Sequence, residues 1–214
     1  MSGVVVIDYG MGNLLSVRRG IEACGIDVEI TADPEKIAKA DRLILPGVGA
    51  FKDGMNELHK RRQVESIQKF VLTERPFLGI CLGMQMLMNE SEEHGIHQGL
   101  GLISGRVIEI PRANSDGIQI RKIPHIGWSA LKHSSNKIDW KNTILQDIPE
   151  NEYFYFVHSF MAVPEDSDNI LAECEYEALR ITACVRRDNI FGCQFHPEKS
   201  GEAGLMILNK FLKM

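Results

Sequence analysis

A cysteine flanked by two glycines is the residue of this chain best placed to act as a nucleophile. Cys81 lies between Gly79 and Gly83, after the apolar run Phe77–Ile80 and before the apolar segment Leu82–Met88. The run predicts a buried strand and the segment predicts the first turns of a helix, so the cysteine occupies the turn between them. Glycines at these two positions leave room for a sharp turn, as in the nucleophile elbow of hydrolases. We expect an exposed sulfur at the end of the strand, where N–H groups of the helix N-terminus favour the thiolate.

A histidine near the end of the chain could serve as the base that this cysteine requires. His196 follows the strand-like segment Ile190–Phe195, and Pro197 disfavours helical geometry at the residue before it. Glu198 lies two residues further on, so on an extended chain its carboxylate can lean to the same side as the imidazole. A thiol, an imidazole and a carboxylate can form a nucleophile, a base and an orienting group. The alternative interpretation is an ordinary histidine at the end of a strand.

A glycine-rich loop could supply the third part of such a site. Gly47 and Gly49 flank Val48 directly after the strand-like segment Arg42–Leu45, and they allow the peptide between them to reorient. The N–H groups of Val48 and Leu82 could then form an oxyanion hole for acyl transfer. An ordinary turn is the alternative. Because ligands of open parallel sheets bind beyond the carboxyl ends of the strands, one crevice could hold all three segments.

The three segments together resemble the class I (triad) glutamine amidotransferases. The motifs of that family are a Pro-Gly-x-Gly loop, a Gly-x-Cys-x-Gly-x-Gln elbow and a terminal His-Pro-Glu, and each occurs here. The resemblance covers the chain from end to end and implies one glutamine amidotransferase domain over residues 1–214. It implies that Cys81, His196 and Glu198 form a catalytic triad that hydrolyses L-glutamine.

The same resemblance implies a set of residues that bind the substrate glutamine. Gln85 follows the elbow, and the carboxylate of Glu93 would pair with the α-ammonium group of the substrate. The run His158, Ser159 and Phe160 would lie along the same pocket. The alternatives are a solvated helix residue for Gln85 and a solvated acidic face for Glu93.

Further motifs narrow the resemblance to the glutaminase subunits of imidazole glycerol phosphate synthase, in histidine biosynthesis. These motifs are Ile7–Leu14, Pro124–Trp128, Tyr155–Phe160 and Gln194–Gly201. The narrower resemblance implies a heterodimer with a (β/α)8 cyclase subunit, which uses the ammonia to make imidazole glycerol phosphate and aminoimidazole carboxamide ribotide. It implies that Asn13, Trp128 and Lys199 lie near that interface, and that the Val48 loop stays inactive until the cyclase binds its ligand. Core packing is the alternative for Trp128.

The sequence is also compatible with other functions. A paralogous glutaminase subunit would supply ammonia to a sugar-modifying (amidino-sugar) synthase of surface polysaccharides. Two segments favour it: Arg112–Lys122 is longer than expected for the histidine enzyme, and Glu173–Thr182 lacks an expected glycine-bearing turn. A non-catalytic binding subunit is a third interpretation, against which the intact triad residues argue. The Gly-x-Cys-x-Gly-x-Gln form of the elbow, which is the motif of glutamine amidotransferases, argues against a protease or another hydrolase of the same fold.

The hydrophobic pattern predicts the elements that position these residues. Strands and helices alternate in the first half, which is typical of a parallel sheet with helices on both faces. Short strands dominate the second half, and several should pair antiparallel. We therefore expect an α/β, flavodoxin-like open sheet, mainly parallel, with extra antiparallel strands in the C-terminal half. The predicted strands are Val4–Asp8, Val28–Thr31, Arg42–Leu45, Phe77–Ile80, Leu102–Ile110, Ile126–Leu131, Tyr153–Phe160, Ile170–Tyr176, Ile181–Arg186 and Ile190–Phe195, and the last helix is Gly201–Leu212.

Composition limits the function classes. A net charge of −5 over 214 residues argues against a dedicated nucleic-acid binder. The sequence contains no apolar run of the roughly 20 residues that span a bilayer, and Met1–Gly3 carries no basic leader, so we expect a cytoplasmic protein without membrane contact. The odd number of five cysteines favours reduced thiols over a set of disulfides. Cys174, Cys184 and Cys193 lie in apolar, strand-like segments, and we expect them to be small core residues. No motif predicts a metal or another cofactor.

Overall fold

The computed structural model describes residues 3–114, 116–118 and 121–214. The first two residues of the predicted N-terminus, and Ser115, Gln119 and Ile120 of the predicted loop Arg112–Lys122, lie outside the described residues. The helices are α1 (Leu14–Ala23), α2 (Pro34–Lys39), α3 (Phe51–Lys60), α4 (Gln63–Val71), α5 (Leu82–Gln85) and α6 (Gly201–Leu212). The strands are β1 (Val4–Ile7), β2 (Val28–Thr31), β3 (Arg42–Gly47), β4 (Phe77–Cys81), β5 (Glu90–Ser91), β6 (His97–Gln98), β7 (Gly105–Glu109), β8 (His125–His133), β9 (Tyr153–His158), β10 (Phe160–Pro164), β11 (Ile170–Tyr176), β12 (Leu179–Arg187) and β13 (Ile190–Cys193).

Within the described residues the main sheet has nine strands in the order β2-β1-β3-β4-β13-β12-β11-β8-β9. The strands from β2 to β13 in this order pair parallel, and the remaining pairs are antiparallel. The last strand of the chain, β13, therefore lies beside β4, whose end carries the elbow. The predicted α/β class is confirmed: four parallel strands come from the first half, and the second half adds antiparallel strands and one further parallel strand, β13.

Helices cover both faces of the parallel strands because the strand residues are apolar on both sides. Val6 of β1 packs in a core cluster with Ile21 of α1 and Phe211 of α6. The neighbouring residue Val5 packs in a second cluster with Ile67 of α4. Successive side chains of a strand point to opposite faces, so the two clusters lie on the two sides of the sheet. The helices therefore pack against both sides of the central strands, whose ends carry the candidate site.

From residue 90 onward the structure differs from the predicted elements in three main ways. The predicted strand Tyr153–Phe160 is two strands, β9 and β10, that separate at Ser159 and enter different sheets. The predicted strand Leu102–Ile110 begins only at Gly105, whose φ of +151° and close approach to Val163 require glycine. A smaller sheet of order β10-β7-β5-β6 among the described residues was not predicted. Two of its strands have only two residues each, which is too short for any hydrophobic period.

Candidate active site

The turn between β4 and α5 confirms the predicted elbow. Cys81 is the last residue of β4 and has φ 55° and ψ −110°, a conformation that a residue with a side chain rarely adopts. A Cβ at Gly83 would lie 1.8 Å from the carbonyl oxygen of Leu45 on the neighbouring strand, and a Cβ at Gly79 would lie 2.7 Å from the carbonyl oxygen of Gly83. Both glycines are therefore required by direct backbone contact. The predicted helix stops at Gln85, after which the chain turns.

The sulfur itself is less accessible than the sequence predicts. Cys81 is only 7% exposed, so the expectation of an exposed sulfur is wrong. The residue instead lies on the wall of a cavity of about 360 Å³. The cavity brings together most of the sequence-predicted site residues, namely Val48, Gly49, Cys81, Leu82, Gln85, Glu93, His158, Ser159, Phe160 and His196. A recessed sulfur meets a substrate away from bulk water, where charges interact more strongly.

The imidazole and the carboxylate of the predicted triad are in contact. His196 has an extended conformation, with φ −100° and ψ 95°, before a 3₁₀ turn over Pro197–Lys199. Its Nδ1 lies 2.8 Å from Oε1 of Glu198, and the two side chains are 3% and 1% exposed. This contact orients the ring and leaves Nε2 as the atom available to a thiol.

The electrostatics couple this imidazole to the candidate nucleophile. Nε2 of His196 is buried and has no hydrogen-bond partner among the described residues. Burial opposes the charged ring, but interaction with the Cys81 sulfur and then with Glu198 overcomes it and raises the pKa of His196 to about 9. An imidazole with this pKa holds its proton at neutral pH beside the sulfur.

The glycine-rich loop lies at the mouth of the cavity. Val48 is 41% exposed, and Gly49 has φ +99°, which favours glycine. A Cβ at Gly47 would lie 2.4 Å from the hydroxyl oxygen of Tyr9, so the loop packs directly on that buried ring. Leu82 is the first residue of α5, and its N–H therefore has no acceptor within the helix.

Gln85 is buried, so the solvated-helix interpretation is wrong. Its side chain is 6% exposed. Nε2 donates hydrogen bonds of 3.0 Å to the carbonyl oxygen of Phe160 and to Oε1 of Gln194. Sequence reasoning gave no role to the Gln194 side chain, which is itself fully buried. Only its position directly before the Phe195-His196 pair could have drawn attention to it.

Glu93 lies on the cavity and not on a solvated acidic face. Its Oε2 accepts a 2.7 Å hydrogen bond from the backbone N–H of Phe51, the first residue of α3. A carboxylate at a helix N-terminus is stabilised by the unpaired N–H groups there. The contact fixes the carboxylate at the cavity wall.

His158 belongs to a buried chain of polar side chains that sequence reasoning missed. Its Nδ1 lies 2.8 Å from the carbonyl oxygen of Phe160, its Nε2 lies 3.0 Å from Nδ1 of His125, and Nε2 of His125 lies 2.9 Å from Oγ of Ser129. Burial lowers the pKa of His158 to about 3 and that of His125 to about 4. Both rings are therefore neutral at physiological pH. His125 and Ser129 are four residues apart on β8, which was the available signal that they share a buried face.

The three predicted interface residues lie apart from the cavity lining. Trp128 is 54% exposed on β8, so the core-packing interpretation is wrong, and its ring centroid lies 6.0 Å from that of Tyr155. Lys199 is exposed. Asn13 is half-buried and caps α1, since its Oδ1 accepts a 3.3 Å hydrogen bond from the N–H of Ser16.

Groups of three or more histidine, cysteine, aspartate or glutamate side chains that could hold a metal ion are absent from the described part of the chain. The described helices include none that is both long and apolar enough to cross a bilayer.

Comparison with known proteins identifies the family. The family model described as glutamine amidotransferase class-I matches residues 5–214, so the chain belongs to this family. The chain is 51% identical to imidazole glycerol phosphate synthase subunit HisH 1 of Legionella pneumophila (strain Lens) over 214 residues, which is 100% of both chains. It is 47% identical to subunit HisH of Syntrophotalea carbinolica over 210 residues, covering 97% of this chain and 98% of the relative. Within the family, the chain therefore groups with the HisH subunits of imidazole glycerol phosphate synthase.

A solved structure supports the fold independently. PurLQS from Thermotoga maritima superposes with a TM-score of 0.71 at 22% identity, covering 100% of this chain and 99% of that chain. At this identity the similarity shows the fold alone.

Proposed function

We propose that this chain is the glutaminase subunit of an imidazole glycerol phosphate synthase, which hydrolyses L-glutamine and passes the ammonia to a cyclase subunit in histidine biosynthesis. The observation that supports the chemistry best is that His196, held by its contact with Glu198, lines the same cavity as Cys81. The full-length identity to HisH subunits supports the pathway.

In the first half of the proposed reaction, the Cys81 thiolate attacks the side-chain amide carbon of glutamine. The negative charge that develops on the amide oxygen is stabilised by the N–H groups of Val48 and Leu82, with Gly47 and Gly49 giving the loop the freedom to present the first of them. The C–N bond breaks as His196, which holds a proton at neutral pH, delivers it to the leaving nitrogen. The products of this half are ammonia and a thioester on Cys81.

In the second half, water attacks the thioester. His196 accepts the proton of the water, the C–S bond breaks, and glutamate leaves with the thiolate restored. Glu198 holds the ring by the 2.8 Å contact to Nδ1 and stabilises the imidazolium in both halves.

The cavity wall supplies groups of suitable polarity for a bound glutamine. The fixed carboxylate of Glu93 would pair with the α-ammonium group of the substrate. Gln85 has both N–H bonds engaged, so its carbonyl oxygen is the group left to accept from the substrate. The ring of His158 is engaged on both nitrogens, so together with Ser159 and Phe160 it shapes the wall.

An exposed apolar face supports docking of the partner near the cavity. The side chains of Ile126, Trp128 and Tyr153 are each more than half exposed on β8 and β9, and β9 is the edge of the main sheet. Ile126 pairs with Val157, which also lines the cavity. An exposed apolar patch of this kind is typical of an interaction surface. We propose that a (β/α)8 cyclase covers it, with Asn13 and Lys199 at the same interface.

Docking beside the cavity has a chemical reason. Ammonia that escapes into neutral water becomes ammonium and loses the lone pair that makes it a nucleophile. A partner that covers the cavity mouth can accept ammonia before protonation, and it can also hold the Val48 loop in its active conformation. We therefore expect low glutaminase activity from the chain alone and a rise when the cyclase and its ligand are added. Full activity of the isolated chain would contradict this gating.

The sugar-synthase alternative has less support. The absence of a glycine from the turn in Glu173–Thr182 does not favour this alternative, because Glu177 and Ala178 join β11 to β12 with φ of 45° and 60°. The turn has the required left-handed conformation without glycine. The relatives reported above are HisH subunits.

The variant Cys81→Ala tests the proposed chemistry. In the assembled complex it should abolish glutamine-dependent synthesis and leave ammonia-dependent synthesis at the wild-type rate, since only the source of ammonia is lost. Cys24→Ala is the control, because Cys24 is a free cysteine that does not line the cavity. Hydrolysis of glutamine by Cys81→Ala would show that another residue is the nucleophile.

A further inference from the structure

A buried glutamine joins the candidate nucleophile to the residue proposed to bind the substrate. Gln194 follows β13 directly and is 0% exposed. Its Oε1 accepts a 3.0 Å hydrogen bond from Nε2 of Gln85. Its Nε2 donates to Sγ of Cys81 at 3.7 Å, within the distance of a hydrogen bond to sulfur. The side chain of Gln194 thus contacts both Cys81, at the turn, and Gln85, at the end of α5.

The orientation of the Gln194 amide follows from its neighbours. The carbonyl oxygen of Phe160 can only accept, so the group of Gln85 that contacts it must be the NH₂. The same NH₂ contacts Gln194, which must therefore present its oxygen to Gln85. The NH₂ of Gln194 then faces the sulfur of Cys81. The Gln85 amide therefore donates both to the backbone of β10 and to Gln194, and Gln194 donates in turn to the sulfur.

A donor that faces the sulfur favours one protonation state of the cysteine. An N–H group stabilises a thiolate more than a thiol, because a hydrogen bond to a charged acceptor is the stronger one. The contact also limits the rotation of the sulfur around the Cα–Cβ bond. His196 and Tyr9 act electrostatically on the same sulfur from other elements. A substitution at Gln194 leaves both of those groups in place.

We propose that Gln194 is a positioning residue that holds the Cys81 sulfur ready for attack and fixes the Gln85 amide towards the cavity. This inference rests on the proposed glutaminase reaction. Its consequence is that nucleophile reactivity and substrate binding depend on one amide that need not touch the substrate.

The test measures alkylation of Cys81 by iodoacetamide in the full chain as a function of pH, read by mass spectrometry of the peptide that contains Cys81. Gln194→Leu removes the donor and the acceptor with little change in volume. It should move the pH midpoint of alkylation upward by about one unit and slow the reaction at pH 7 about tenfold. This size corresponds to the loss of one hydrogen bond to a charged group, taken at the lower end of the usual range of free energies. In the complex with the cyclase, KM for glutamine should rise and kcat should fall.

Gln63→Leu is the matched control. Gln63 is also 0% exposed, and its amide donates to the carbonyl oxygens of Asp8 and Ala32 without contacting Cys81. This variant should lose stability as Gln194→Leu does, but its alkylation midpoint should remain at the wild-type value. If Gln194→Leu does not fold, Gln194→Met removes the same donor with a longer and more flexible side chain.

The outcomes separate this inference from the proposed function. An alkylation midpoint of the folded Gln194 variant equal to those of wild type and Gln63→Leu would overturn the role of Gln194, even if the wild-type complex hydrolyses glutamine. Absence of glutaminase activity in the wild-type complex would refute the proposed function, and the alkylation comparison, which needs no turnover, would still report on the contact between Gln194 and Cys81.

Discussion

The neutral histidine pair behind the cavity predicts a steep loss of stability in mild acid. His125 and His158 are 2% and 6% exposed, and burial lowers their pKa values from the ordinary 6.5 to about 4 and about 3. Below pH 6.5 the unfolded chain binds a proton at each residue, whereas the folded chain does not until the pH reaches the lowered values. Protonation therefore favours the unfolded state, and stability falls as the pH falls from 6.5 towards 4.

The size of the effect follows from linkage. Each histidine contributes about 1.4 kcal/mol per pH unit in this window, so the pair contributes about 2.7 kcal/mol per unit. Between pH 7.5 and pH 5 the pair contributes a loss of about 4 kcal/mol. His196 has the opposite sign, because its raised pKa of about 9 makes the folded chain bind its proton before the unfolded chain does, and it offsets about 1.4 kcal/mol of this loss. The net loss of about 2.5 kcal/mol is a substantial part of the roughly 5–15 kcal/mol stability of a typical domain. The contribution of the pair depends only on both of their folded pKa values lying below about 4.5, since a deeper shift changes nothing above pH 5.

Urea denaturation at several pH values measures this slope. His125→Phe keeps a ring between Phe156 and Tyr176, whose centroids lie 5.1 and 4.1 Å from the imidazole, but removes one protonation site. It should lower stability at pH 7.5 and halve the slope to about 1.4 kcal/mol per unit. The control His59→Gln, at an exposed position of α3, should keep the full slope. A wild-type slope below about 1 kcal/mol per unit, or an unchanged slope in His125→Phe, would refute the argument.

Two further predictions concern the backbone. Gly83→Ala should destabilise the fold by about 3 kcal/mol or more, because its Cβ would overlap the carbonyl oxygen of Leu45 at 1.8 Å. Gly3→Ala should change stability little in the same urea measurement, because a Cβ there would have no atom of the described residues within 4 Å. Ala178→Gly should stabilise the chain by about 1 kcal/mol, because φ at this turn residue is 60° and glycine adopts that conformation without the clash of a Cβ; a loss of stability would show that the turn is not strained.

The elbow could be predicted from sequence because its requirements are local. A strand that turns within one residue into a helix needs small residues on both sides of the turn, and Gly79 and Gly83 meet that need within a short segment of chain. The contact between His196 and Glu198 is also local, since Pro197 fixes the backbone between them. Residue types at short separations were enough for these two parts of the site.

The buried polar partners could not be predicted, because they depend on which distant strands become neighbours. Gln85 meets Gln194 and His125 meets His158 only after the sheets have formed. The exposure of Trp128 is a similar case. The residue type favours burial, but the sheet ends at β9 and leaves this face of β8 uncovered.

The register of the central strands explains how the strained conformation of Cys81 persists. Gly47 of β3 lies opposite Cys81 on one side of β4, and Cys193 of β13 lies opposite Ile80 on the other side. A slip of one residue in either pairing would turn the side chains of β4 to the opposite faces, which both carry packed cores. The two pairings therefore fix the end of β4 from both sides, and Cys81 has no relaxed alternative that keeps them. The same pairings bring the Val48 loop and the segment of His196 to the edge where the sulfur lies, so the strain and the convergence of the site have one structural cause.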